Sequence, residues 1–212
     1  MMRIVRLADL AIAGVLAASI VLPLSGIASA QTAPAQPAPA QAAPAAPAPA
    51  APKLETFGRW STLVDEVDTG EDIRKTCAAS TAFIGARGES GTLTLIITNG
   101  DALPPAAYPS VTIAADNTAL PTGKSVAATF GDDKGHVAAK LHSDATVGGR
   151  LSWTVDNQAK TSLALLRVMR RASVLDVSFG DVPVGSIAMD GFTKAYRSLG
   201  ASCGFATTDV AP

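Results

Sequence analysis

The chain has 212 residues, of which 48% are hydrophobic and 17% charged, with a formal net charge of −1. A balance this close to neutral supplies no electrostatic footprint for nucleic acid or for an anionic membrane surface, so neither is an expected partner.

The first thirty residues read as an export signal. Arg3 and Arg6 form a short basic start, "LAIAGVLAASIVLPLSGI" is apolar, and Ala28-Ser29-Ala30 has the small-x-small form that a signal peptidase accepts. An uncleaved anchor is the alternative, because Leu10 to Ile27 is nearly long enough to span a bilayer. Pro23 and the cleavage pattern favour removal after Ala30, which leaves no membrane span and gives a periplasmic or secreted protein of bacterial type. Taking Arg3, Arg6 and Asp9 from the 17 Lys+Arg and 18 Asp+Glu leaves 15 against 17.

Residues 31–53 form a linker. The stretch "QTAPAQPAPAQAAPAAPAPAAP" carries seven prolines, no charge and no large apolar group, so it cannot build a core and is expected to be disordered. In polyproline form it reaches at most about 70 Å, at about 3.1 Å per residue.

Residues 54–206 are expected to form one globular domain, followed by a flexible tail over 207–212. Short alternating runs dominate it. "RWSTLVDEV" and "KTCAAST" flank a polar turn from Asp68 to Asp72, and "GTLTLIITN" stops at the turn pair Asn99-Gly100. "SVTIAAD" follows three prolines. "SVAATFG" and "GHVAAKLHS" make a hairpin around "GDDKG", and "RLSWTV" comes next. Then "KTSLALLRVMRRAS" spaces its apolar residues at three and four, a helical period. "VLDVSFG" and "VGSIAM" form a last strand pair. In "GFTKAYRSLG", Phe192, Ala195, Tyr196 and Leu199 mark a second helix, with Asp190 as its expected N-cap and Gly200 as its stop. The fold class is mainly β: an antiparallel β-sandwich or barrel-like domain with two short helices near the C-terminus.

Gly200-Ala201-Ser202-Cys203-Gly204 matches the G-x-S-x-G pattern of serine hydrolases. That design needs a strand before the serine and a histidine after it; here a helix precedes and no histidine follows. His136 and His142 lie in one strand, roughly 20 Å apart at about 3.3 Å per residue, too far to share a metal. Val137, Ala139 and Leu141 take the apolar face, so both histidines are expected to face solvent. The acids Asp65, Glu66, Asp68, Glu71 and Asp72 lack the spacing of a calcium loop. Trp60 and Trp153 read as core residues, and aromatics are only 5% of the chain. No catalytic residue, metal ligand or cofactor is expected.

Arg167, Arg170 and Arg171 share one helix face and are the candidate contact for a partner, a solvated surface being the alternative. Cys77 and Cys203 are the only cysteines. An even count in an exported chain points to one disulfide, two unpaired buried thiols being the alternative.

The opening "FGRWSTLVDE" and the closing "LALLRVMRRASVLDVSFGDVPVGSIAMDGFTKAYRSLGASC" resemble the invasion-associated locus B family of exported proteobacterial proteins. The resemblance covers about forty residues at the end and ten at the start. It implies a β-rich periplasmic or envelope-associated domain without known catalytic residues, named for a role in host-cell invasion. The expected function is that of a non-catalytic exported protein, a binding or structural module whose partner is an envelope protein or surface. An inhibitor or chaperone-like binder is the second reading, and a hydrolase with an unrecognised site the third.

Overall fold

The computed structural model describes residues 51–117, 119–147 and 150–210. The expected signal peptide and nearly all of the linker lie outside them.

Among the described residues, ten strands precede and separate two helices. They are β1 (Lys53–Phe57), β2 (Trp60–Asp68), β3 (Ile73–Ile84), β4 (Ser90–Thr98), β5 (Ser110–Ala115), β6 (Val126–Asp132), β7 (Gly135–Val147), β8 (Arg150–Val155), α1 (Ala159–Arg171), β9 (Val174–Phe179), β10 (Val182–Ala188) and α2 (Phe192–Cys203). All ten lie in one antiparallel sheet of order β1-β2-β3-β4-β5-β8-β7-β6-β9-β10. The alternation read from the sequence becomes the two sheet faces. In β4 the residues Leu93, Leu95 and Ile97 are buried while Thr92, Thr94 and Ile96 between them are not.

The sheet is not closed into a barrel. Just past the end of β3, Gly85 makes an isolated bridge to Gly185 of β10. The reason lies in β3, which pairs with β2 from Ile73 to Ser80 and with β4 from Thr76 to Ile84. Only its last residues, beyond the end of β2, have an edge left for β10.

The core lies on the inner face, where both helices pack: α2 on β1, β2 and β3, and α1 on β6 and β7. Trp60 and Trp153 are fully buried, and Trp153 donates its indole N–H to the Pro121 carbonyl at 2.8 Å. Trp60 meets Phe192 edge-on at 5.0 Å, and Phe192, Tyr196 and Phe205 continue the aromatic chain.

Two helix ends differ from the sequence reading. The N-cap of α2 is Gly191, in the left-handed region, and Asp190 makes no side-chain cap. The helix also runs through Gly200 to Cys203 and stops at Gly204. Gly200 sits where the chain folds back over the helix: a Cβ there would lie 2.4 Å from Thr207 Cγ2 and 2.8 Å from the Phe205 carbonyl oxygen. Its glycine serves a close approach, not a stop. The segment after the helix is packed as far as Val210, which is 1% exposed.

Candidate functional site

The chemistry-bearing residues gather around α2, α1 and the returning C-terminal segment. On α2, Phe192, Ala195, Tyr196, Leu199 and Cys203 form one buried stripe. Cys203 at its end is bonded to Cys77 in the middle of β3, with Cα atoms 6.1 Å apart and 126 residues between them in sequence. The pairing read from the cysteine count is therefore the one the fold brings together. Ser202 is half-buried in the last turn of α2. The strand–turn–helix setting that exposes a hydrolase nucleophile is not present there.

The three arginines of α1 reach two different parts of the fold. Arg167 donates from Nε to the Asp209 carbonyl at 3.1 Å, and Arg170 from Nη1 to the Val210 carbonyl at 3.1 Å. Together they clasp the C-terminal segment. Arg171 points to the β6–β7 turn and grips Asp132 with two bonds, 2.8 and 3.0 Å. That guanidinium holds the Asp132 carboxyl below its usual range, chiefly through the hydrogen bond. Arg170 and Arg171 also lie in the last helical turn, where cations complement the helix dipole.

Beneath the clasp, the Tyr108 hydroxyl donates to an oxygen of Asp209. The Asp209 Oδ1 atom and the Tyr196 hydroxyl are buried without a hydrogen-bond partner among the described residues. Burial, reinforced by the Asp209 carboxylate, pushes the Tyr108 phenol up to about 12 and raises Tyr196 also. A raised acid favours the neutral form in the fold. Its stabilisation is whole below pH about 10, the ordinary tyrosine value, and is lost as pH rises through about 12. Chemical denaturation between these pH values is expected to show wild type losing stability more steeply than Tyr108→Phe. Equal slopes would mean that Tyr108 ionises freely in the folded state.

The histidines divide. His136 is exposed. His142 is half-buried, with Nδ1 3.1 Å from Asp156 and Nε2 3.7 Å from Asp144. The sequence reading gave it no partner, because Asp156 comes from the next strand's end, fourteen residues on. Among the described residues no group of three or more His, Cys, Asp or Glu is placed to hold a metal ion. A groove of about 550 Å³ runs past Ile84, Gly85, Pro183 and Ser186 beside Asp132 and Asp176. Asp132 is taken by Arg171 and Asp176 by the Ser186 hydroxyl. No helix among the described residues is long and apolar enough to cross a membrane.

No protein-family profile and no curated protein matches the chain. Among solved structures, the crystal structure of invasion associated protein B from Bartonella henselae is similar to it. The identity is 16%, the match covers 70% of this chain and 95% of that one, and the TM-score is 0.46.

Proposed function

We propose that the chain is exported and works in the bacterial envelope as a non-catalytic binding or structural module. One observation carries the reading: the Cys77–Cys203 bond, formed deep in the core between residues 126 apart. Such bonds persist in oxidising compartments and are rare where thioredoxin and glutathione keep thiols reduced. The apolar start of the chain, with its Ala28-Ser29-Ala30 site, supports delivery to such a compartment. The resemblance of the closing stretch to invasion-associated locus B proteins supports a role without catalysis. The linker gives the domain reach toward a neighbour.

Crosslinking in intact cells, followed by identification of neighbours, tests the reading. Recovery of an envelope protein or surface component is expected, unchanged by Ser202→Ala. A hydrolytic activity of the purified protein that Ser202→Ala abolishes would contradict it.

The second reading, an inhibitor or chaperone-like binder, rests on Arg167. It is exposed and among the described residues it donates from Nε alone, which leaves its two Nη groups for a partner's carboxylate. Arg167→Gln is expected to lower recovery of such a partner severalfold; equal recovery removes Arg167 from the contact.

A further inference from the structure

Among the described residues β1 is an edge of the sheet: β2 pairs it on one side and no strand stands on the other. A tight turn brings Phe57 opposite Trp60, and a hydrogen bond across such a turn ties the two residues together. Alternation along the antiparallel ladder then turns the backbone N–H and C=O of Leu54 away from β2, toward the open edge. Side chains alternate as well. Leu54 stands on the outer face, 66% exposed. Lys53 and Glu55 stand on the opposite face, 2.8 Å apart, where Ser198 of α2 also donates to Glu55.

Two features of this edge agree with each other. The register sets Leu54 beside Leu63, Leu63 beside Ala78, and Ala78 beside Ile96. Leu63 and Ile96 are each 41% exposed, so an apolar row crosses four strands and runs out at Leu54. The edge sequence Lys53-Leu54-Glu55 is also self-complementary. Laid antiparallel on itself with Leu54 opposite Leu54, it sets each lysine against a glutamate.

We propose that β1 pairs with β1 of a second copy of this chain, antiparallel about a twofold axis at Leu54. The two Leu54 residues exchange backbone hydrogen bonds, the two apolar rows join into one, and a Lys53–Glu55 pair flanks the axis on each side. Pro52 lies opposite Thr56 in this register and, lacking an N–H, confines the pairing to the central residues. A strand of five residues covers less area than a stable dimer interface needs. The association is therefore weak and concentration-dependent.

Sedimentation velocity on protein purified from cells expressing the full-length chain, from micromolar to millimolar concentration, tests the proposal. Wild type is expected to pass from monomer to dimer. Lys53→Glu alone opposes glutamate to glutamate, and Glu55→Lys alone opposes lysine to lysine. Each is expected to raise the dissociation constant tenfold or more. Mixed in equal amounts, the two single variants are expected to restore the dimer as a heterodimer, and the double variant K53E/E55K to restore it alone. A wild type that stays monomeric throughout overturns the proposal, as does dimerisation of the single variants at the wild-type level. Single variants that stay apart when mixed overturn it too. All of these side chains lie at the surface, and circular dichroism checks that each variant is folded.

Discussion

Replacing both cysteines, as Cys77→Ala/Cys203→Ala, is expected to lower the free energy of unfolding by about 4–5 kcal/mol, the chain-entropy value for a closed loop of this length. The bond ties residues 126 apart, so the oxidised unfolded chain loses much of its freedom and the variant recovers it. The native side adds to the effect. Cys77 is fully buried in β3 and Cys203 is 5% exposed at the end of α2, so two core side chains shrink at once. Domains of this size have a total stability on the order of 5–15 kcal/mol, and the variant is expected to unfold partly at physiological temperature. Guanidinium titration of oxidised wild type against the double variant measures the difference. A loss under about 1 kcal/mol would mean that aromatic packing around Phe192 and Tyr196 holds α2 without the bond.

Gly191→Ala is expected to cost about 3 kcal/mol or more, by adding left-handed backbone strain to overpacking. Gly191 has φ +90° at the start of α2, and a Cβ there would fall 1.7 Å from the Phe57 carbonyl oxygen and 2.5 Å from its carbon. Both are backbone atoms, so no rotamer relieves the clash. The β1–β2 turn must leave the helix, and with it goes the bond from the Arg59 N–H to the Asp190 carbonyl at 3.1 Å. Gly204 separates the two causes. It has φ +76° with nothing within 4 Å of a Cβ, so Gly204→Ala carries strain alone and is expected to cost about 1–2 kcal/mol. Equal losses at the two positions in thermal melts would show that the contact with Phe57 yields easily.

These two positions mark where the sequence is informative and where it is silent. Strand alternation and helical spacing are properties of neighbours, so β2 to β10 and the buried stripe of α2 can be read from residue order. The cysteine pair can be read from count and context. Long-range approaches cannot. Gly200 looks like a helix stop until Thr207 is seen folded against it. Asp190 looks like a cap, yet its contribution is a backbone carbonyl offered to Arg59. β1 is masked by the proline-rich run before it and by the mixed character of "KLETF". It becomes a strand because Leu54 and Phe57 find partners on β2. The arginines of α1 are visible as a charged face, but their partners lie 39 to 42 residues away. Nothing in "RVMRR" announces that two of them hold the chain's end and the third a hairpin turn.

The proposed export and the bond between α2 and β3 predict one product together, because such a bond persists chiefly in an oxidising compartment. The intact mass of the protein recovered from the periplasm, alkylated without prior reduction, tests both together. The expected species begins at Gln31, carries no alkyl group and is lighter by two hydrogens than the reduced sequence from Gln31 to Pro212. A species that retains residues 1–30, or one with Cys77 and Cys203 both alkylated in folded protein, would contradict the account.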